Sequence, residues 1–162
     1  MDEYRFSTHV CDDLQQMEAT DSLIAPILEG LGSNIQKQTG INQLGRSVRI
    51  FIRDRHDSVV GGILADLFGG WAYISLLWIA EPLRNRGLGT RLVTMLEQEA
   101  LRLGCTHAHL DTYSFEARPF YEKMGYELFA TLPDYPPGHC KYFLQKTLRQ
   151  ANHARLPGQE GI

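Results

Sequence analysis

The chain has 162 residues, a formal net charge of −3 at pH 7, and 43% hydrophobic and 22% charged residues. That is enough chain for one buried core, and the slight acidity offers no overall field for nucleic acid or an anionic membrane. The longest apolar run, Trp71 to Ala80, is about half of the roughly 20 residues that a spanning helix needs, and no apolar region of a signal peptide follows the acidic Met1-Asp2-Glu3. The three cysteines, Cys11, Cys105 and Cys140, are odd in number and far apart, which fits a reducing, cytoplasmic compartment and offers no metal-ligand spacing.

In chain order, Tyr4 to Val10 alternates weakly as a first strand, and Asp12 or Asp13 is placed to cap a helix. Leu14, Met17, Leu23, Ile24, Ile27, Leu28 and Leu31 supply apolar faces, and Pro26 predicts a break into two short helices. Residues 34–45 read as a loop or weakly helical connection. Ser47 to Arg53 alternates as a half-buried strand, with Val48, Ile50 and Ile52 on one face. A second strand, Val59 to Phe68, holds Gly61 and Gly62. Gly69-Gly70 turns the chain into a third strand, Trp71 to Ile79, apolar on both faces apart from Ser75 and so expected to be central and covered on both sides.

Gly87 to Leu103 is the best helix, with Leu88, Leu92, Met95, Leu96, Ala100 and Leu103 on one face and Gly104 as its stop. Thr106 to Thr112 returns as a strand, so a right-handed crossover onto a parallel neighbour is expected. A short helix over Ser114 to Lys123, a strand over Tyr126 to Leu132, a proline-rich loop and a closing strand over Lys141 to Leu148 follow. The predicted fold is α+β: a mixed, mostly antiparallel sheet of six to seven strands with helices on both faces. One domain over 1–148 and a polar tail over 149–162 complete the expected organisation.

The chemistry concentrates where the third strand meets the long helix. Arg84-Asn85-Arg86-Gly87-Leu88-Gly89 reads R-x-x-G-x-G. A glycine turn leading into a helix aims several backbone N–H groups at one spot and adds the positive end of the helix dipole, which suits a phosphate or pyrophosphate. The dinucleotide fingerprint is a poor fit, since it needs G-x-G-x-x-G and an acid about 20 residues further on.

A second segment sharpens the assignment: Ala117-Arg118-Pro119-Phe120-Tyr121-Glu122-Lys123-Met124-Gly125-Tyr126. In order and separation the two segments resemble the acetyl-CoA motif and the F-Y-E-K-x-G-[FY] motif of the GNAT superfamily of N-acetyltransferases. The resemblance covers residues 71 to 132, and more weakly 47 to 148. It implies that the strand over Trp71–Ile79 splays from that over Thr106–Thr112 and opens a V-shaped slot. Leu77, Trp78 and Ile79 then offer the strand edge whose backbone pairs with the pantetheine arm. Backbone N–H groups over Asn85, Arg86, Gly87, Leu88, Gly89 and Thr90 hold the pyrophosphate, with charge from Arg84 and Arg86. Tyr121 returns a proton to the departing thiolate.

Two positions depart from the family pattern. Ser114 stands where many members have an Asn that touches coenzyme A. The central strand carries no carboxylate base, which leaves His109 and Asp111 on the next strand as candidates; each also reads as an ordinary packing or capping residue. On the acceptor side, the resemblance implies that the proline-stiffened loop borders the acceptor site, where Asp134, Tyr135 and His139 meet a cationic amine; the alternative is a rigid turn that joins the last two strands. Trp71 and Trp78 read as substrate cage or, more simply, as core or sheet-face residues.

The resemblance thus implies an N-acetyltransferase moving an acetyl group from acetyl-CoA to a primary amine of a small molecule or peptide by direct transfer in a ternary complex. The chemistry needs no metal, the charge and the short apolar runs speak against a nucleic-acid or membrane partner, and a homodimer is implied by analogy only. A non-catalytic acyl-CoA sensor and an enzyme for a longer acyl chain are the rival readings.

Overall fold

The computed structural model describes residues 14–41 and 46–148; side chains are described from residue 22 onward. The expected first strand at Tyr4–Val10, the cap at Asp12 or Asp13 and the tail 149–162 lie outside the described residues. Contacts divide the chain into two units, residues 1–44 and 45–162.

The first unit contributes one helix, α1, Leu14–Thr39, with Pro26 inside it. The expected break at Pro26 is therefore absent. Proline removes one backbone donor and crowds one carbonyl, and here more than two full turns on either side keep the helix continuous.

The second unit holds β1 (Arg46–Arg53), β2 (Val59–Phe68), β3 (Trp71–Ile79), α2 (Leu88–Arg102), β4 (His107–Tyr113), α3 (Arg118–Lys123), β5 (Glu127–Pro133) and β6 (Cys140–Thr147). The strands form one six-stranded sheet in the order β1-β2-β3-β4-β6-β5. Only β3 and β4 run parallel; the other neighbours are antiparallel. The α+β class and the mixed sheet follow the sequence reading. The last strand does not close the sheet, however. It inserts between β4 and β5, which leaves β5, exposed along its length, at the edge. Burial decides this order: Leu144 of β6 is fully buried opposite Leu110 of β4.

One face of the sheet carries Val48, Ile63, Ala65, Ala72, Ile74, Ala108, Leu110 and Leu144, packed against Leu92, Val93, Leu96 and Ala100 of α2. Val93, not Met95, completes the buried stripe; Met95 is 41% exposed. Gly104, at φ 91°, ends α2 in a left-handed turn. Cys105 N donates to Ala100 O at 2.9 Å and Gly104 N to Leu101 O at 3.0 Å, so two otherwise unpaired carbonyls are satisfied. Lys146 Nζ reaches both carboxylate oxygens of Glu97 at 2.8 Å and ties α2 to β6.

The feature that positions the site is where β3 and β4 part. Their parallel register runs Trp71↔His107 to Ile74↔Leu110 and stops. At that level the β2–β3 register slips, with Leu64 opposite Leu76 and Ala65 opposite Ile74, so Ser75 is an extra residue in β3. A bulge of this kind bends its strand and raises the local twist, which carries the second half of β3 away from β4. The expectation that β3 is covered on both sides fails for the same reason: Leu76 and Trp78 are 62% and 54% exposed.

Candidate active site

Beyond Ile74, one edge of β3 has no strand beside it. Ala80 N donates to Val60 O at 2.9 Å. Backbone groups alternate along a strand, so Trp78 also turns its groups to β2, while Leu77 and Ile79 turn theirs into the gap. The gap is a slot of about 680 Å³ whose walls include Leu77, Trp78 and Ile79 on one side, Asp111, Thr112 and Tyr113 on the other, and Glu116 and Tyr121 beyond.

A second cleft, of about 490 Å³, shares Leu77, Ile79, Arg84 and Ala117 with the slot and runs to the start of α2. There it meets Asn85, Gly87, Leu88, Gly89 and Thr90. Arg91 N is the first donor to find an intrahelical acceptor, Gly87 O at 3.0 Å. The N–H groups of Leu88, Gly89 and Thr90 therefore stand open at the positive end of the helix. Gly87, at φ 76°, and Asn85, at φ 60°, supply the left-handed backbone that the turn needs. Gly89 is glycine for another reason. A Cβ there would meet the Phe120 ring at 3.3 Å and Ile79 Cδ1 at 3.6 Å. Arg84 lines both cavities and donates through Nε to Ile79 O at 3.0 Å, which fixes its guanidinium beside the strand edge. Arg86 lines neither.

Tyr121 sits on α3 with 6% of its surface exposed, edge-on to Phe120 and Tyr126. Burial, with the negative charges of Glu116 and Asp111, pushes its pKa up to about 12, so it keeps its proton across the physiological range. Asp111 is engaged on both oxygens. Tyr73 OH donates to Oδ1 at 2.7 Å, and Lys141 Nζ pairs with Oδ2 at 2.8 Å. The hydrogen bond to Asp111 raises the Tyr73 pKa, and the same partner raises that of Lys141.

Removing Lys141 leaves a half-buried Asp111 carboxylate with one partner, at a cost of about 2 kcal/mol. Lys141→Met should therefore lower the melting temperature by roughly 6 °C. Adding Asp111→Asn should recover part of that loss, because the uncompensated charge is gone. Purely additive losses in calorimetry would show that the pair is not coupled.

Not every predicted residue reaches the slot. His109 shares a face of β4 with Asp111 but lies lower, where β3 and β4 are still paired, stacked on Tyr73 at 4.8 Å between ring centroids, in a shallow cleft with Asp66, Phe68 and Trp71. Burial lowers its pKa, partly countered by Asp111. Trp71 stacks on His107 at the opposite end of β3, about 20 Å from Leu77 at the usual rise per residue. The hydroxyl of Ser114 turns from the slot, 3.3 Å from His139 Nδ1, and accepts from Cys140 N at 3.2 Å. Asp134 Oδ1 accepts from Gly138 N at 2.8 Å and so braces its own loop. Tyr135 does approach the slot mouth: it stacks on Tyr113, which stacks on Phe115, whose ring meets the edge of His139.

The sequence reading missed Tyr73, Lys141 and Glu116. Lys141 carried no local signal, since it meets Asp111 only because β6 lies next to β4. Among the described residues, no three His, Cys, Asp or Glu side chains are grouped to hold a metal ion, and no helix is long and apolar enough to cross a membrane.

The site is thus an open mixed sheet whose parallel pair parts into a slot, with a helix start at the end of that slot. The chain belongs to the acetyltransferase (GNAT) family, whose model matches residues 20–126. It is 37% identical over 91 residues, 56% of this chain and 67% of the relative, to a blasticidin-S acetyltransferase from Streptomyces morookaense. A crystal structure of a candidate acetyltransferase from Agrobacterium tumefaciens is similar at 28% identity and TM-score 0.75, over 89% of this chain and 99% of that one. An aminoglycoside 6'-N-acetyltransferase complexed with coenzyme A shares the fold at 19% identity and TM-score 0.59, over 86% and 94%. The protein is thus an acetyltransferase.

Proposed function

We propose that the protein moves an acetyl group from acetyl-CoA to a primary amine of a small molecule or peptide, by direct transfer in a ternary complex. The observation that carries this reading is the continuity of the two cavities. A single path leads from the open N–H groups of Leu88, Gly89 and Thr90, along the strand edge of Leu77 and Ile79, where Arg84 holds Ile79 O, to Tyr121. Its donor set suits the donor substrate part by part. The helix start accepts a pyrophosphate, the strand edge accepts an amide-bearing arm as an added strand, and Tyr121 offers an O–H to a leaving sulfur.

On this reading Arg84 and, from outside the cleft, Arg86 add positive charge toward the phosphates. Residues Asn85 and Thr90 line the phosphate end, and Trp78 flanks the arm. The acceptor enters past Phe115, Tyr113 and Tyr135. Asp111 is held by Lys141 and Tyr73, so its part is to fix β4 and shape the wall. His109, Ser114, Trp71 and Asp134 drop out of the reacting set. A small acceptor is favoured by the relative named for blasticidin S, and that compound belongs in the first panel of amines.

Acetyl-CoA at about 100 times its dissociation constant should add about 2.7 kcal/mol. That corresponds to a rise in melting temperature of roughly 5–10 °C. Thiol release across a panel of polyamines, amino acids, aminoglycosides, peptides and blasticidin S then identifies the acceptor. No thermal shift with acetyl-CoA would refute the donor assignment.

A further inference from the structure

Acyl transfer to an amine needs a group that removes a proton from nitrogen, since only the neutral amine attacks. The two candidates on β4 do not supply it: His109 lies outside the slot, and both oxygens of Asp111 are occupied. The slot walls hold one other carboxylate, Glu116, in the turn between β4 and α3. Its Oε2 accepts from Thr112 Oγ1 and from Tyr113 N, both at 3.1 Å. Two bonds to one oxygen fix the orientation of the carboxylate, and Oε1 makes no hydrogen bond among the described residues. Its charge is felt at the Tyr121 hydroxyl.

We infer that Glu116 is the proton acceptor of the reaction, with Oε1 taking the amine proton directly or through one water while Oε2 holds the carboxylate to β4. This rests on the acyl-transfer reading above. The amine enters as the ammonium ion and gives a proton to Glu116. The nitrogen lone pair forms a bond to the acyl carbon, the carbon–sulfur bond breaks, and its electron pair leaves on the thiolate, beside the Tyr121 O–H. The second nitrogen proton, shed as the amide forms, is the one the thiolate gains through Tyr121, so the products are an amide and a free thiol. Glu116 then releases its proton to solvent. An oriented carboxylate and a phenol lie along one slot, so the proton leaves the acceptor and reaches the leaving group at separate points.

Glu116→Gln is the test, because the amide oxygen still accepts from Thr112 and Tyr113. On an amine that the wild type acetylates, kcat/KM should fall by about 10²-fold, while the thermal shift with coenzyme A stays at its wild-type value. The pH profile should change form. The variant must wait for amine already neutral, so its rate should climb about tenfold per pH unit below the amine pKa, where the wild type is flatter. A variant with wild-type rate and profile overturns the assignment. So does a variant that loses turnover and the coenzyme A shift together, which would make Glu116 a brace for the turn. If the wild type binds acetyl-CoA but acetylates no amine, the acyl-transfer reading fails and takes this one with it; a working wild type beside an equally active variant defeats Glu116 alone.

Discussion

Tyr121→Phe is expected to lower kcat by about 10²-fold and to leave the thermal shift with coenzyme A unchanged. The ring is packed edge-on against Phe120 and Tyr126 and is almost wholly buried, so phenylalanine keeps the packing and removes only the hydroxyl. That hydroxyl has its pKa pushed up to about 12 by burial and by the carboxylates around it. An ordinary thiol has a pKa of about 8.5. A donor held so far above it stays protonated until charge accumulates on the departing sulfur, and it passes a proton there only in step with regaining the one shed as the amide forms. The tyrosine therefore contributes no titration to the rate profile near neutral pH, and its loss should appear as a uniform drop across that range. Its folded-state pKa lies above the unfolded value of about 10. The stability that depends on its staying neutral is thus fully present below pH 10 and lost as the pH rises toward 12. The phenylalanine variant should escape that part of the alkaline loss. Steady-state kinetics on one acceptor decide the matter: an unchanged kcat would remove Tyr121 from the chemistry, and a weakened coenzyme would make it a binding residue.

Particular residues show how far the sequence reading reached. The strand–turn–helix over Trp71 to Leu103 was legible, because its apolar period, its glycines and its stop at Gly104 are all local. Tyr121 was legible from the segment around it. Asp111 was visible as a carboxylate, but its ion pair with Lys141 was not. That contact joins β4 to β6, and the insertion of β6 between β4 and β5 leaves no mark in the spacing of either strand. His109 and Trp71 stand where β3 and β4 are still paired, and the reason this was not legible is related. Alternation along a strand says which residues share a face, but not at what height two strands part. The bulge at Ser75 sets that height, and nothing in the local composition but one polar residue in an apolar run announces it. Pro26 shows the reverse error, a strong local signal outweighed by the turns around it.

The other large effect is expected at Gly89. Gly87 is glycine for its backbone, with nothing within 4 Å of a built Cβ; Gly89 is glycine for its space. A methyl group there would press the far end of the Phe120 ring at 3.3 Å, and a ring edge can yield by a few tenths of an ångström. Alanine also has a better helix propensity than glycine, by less in this first turn than the roughly 1 kcal/mol of a helix interior. Gly89→Ala should therefore fold at least as well as the wild type and bind coenzyme A slightly less tightly. Leucine cannot be absorbed in this way. Its branch must enter the cleft between α2, Ile79 and Phe120, directly over the open N–H groups of Leu88, Gly89 and Thr90. Losing two hydrogen bonds to a charged phosphate costs about 3 kcal/mol, and every 1.4 kcal/mol is tenfold, so Gly89→Leu should weaken coenzyme A binding by about 10²-fold. Calorimetric titration of both variants, with their melting temperatures as a check on folding, reads the difference. Wild-type affinity in a folded Gly89→Leu protein would move the pyrophosphate away from the start of α2.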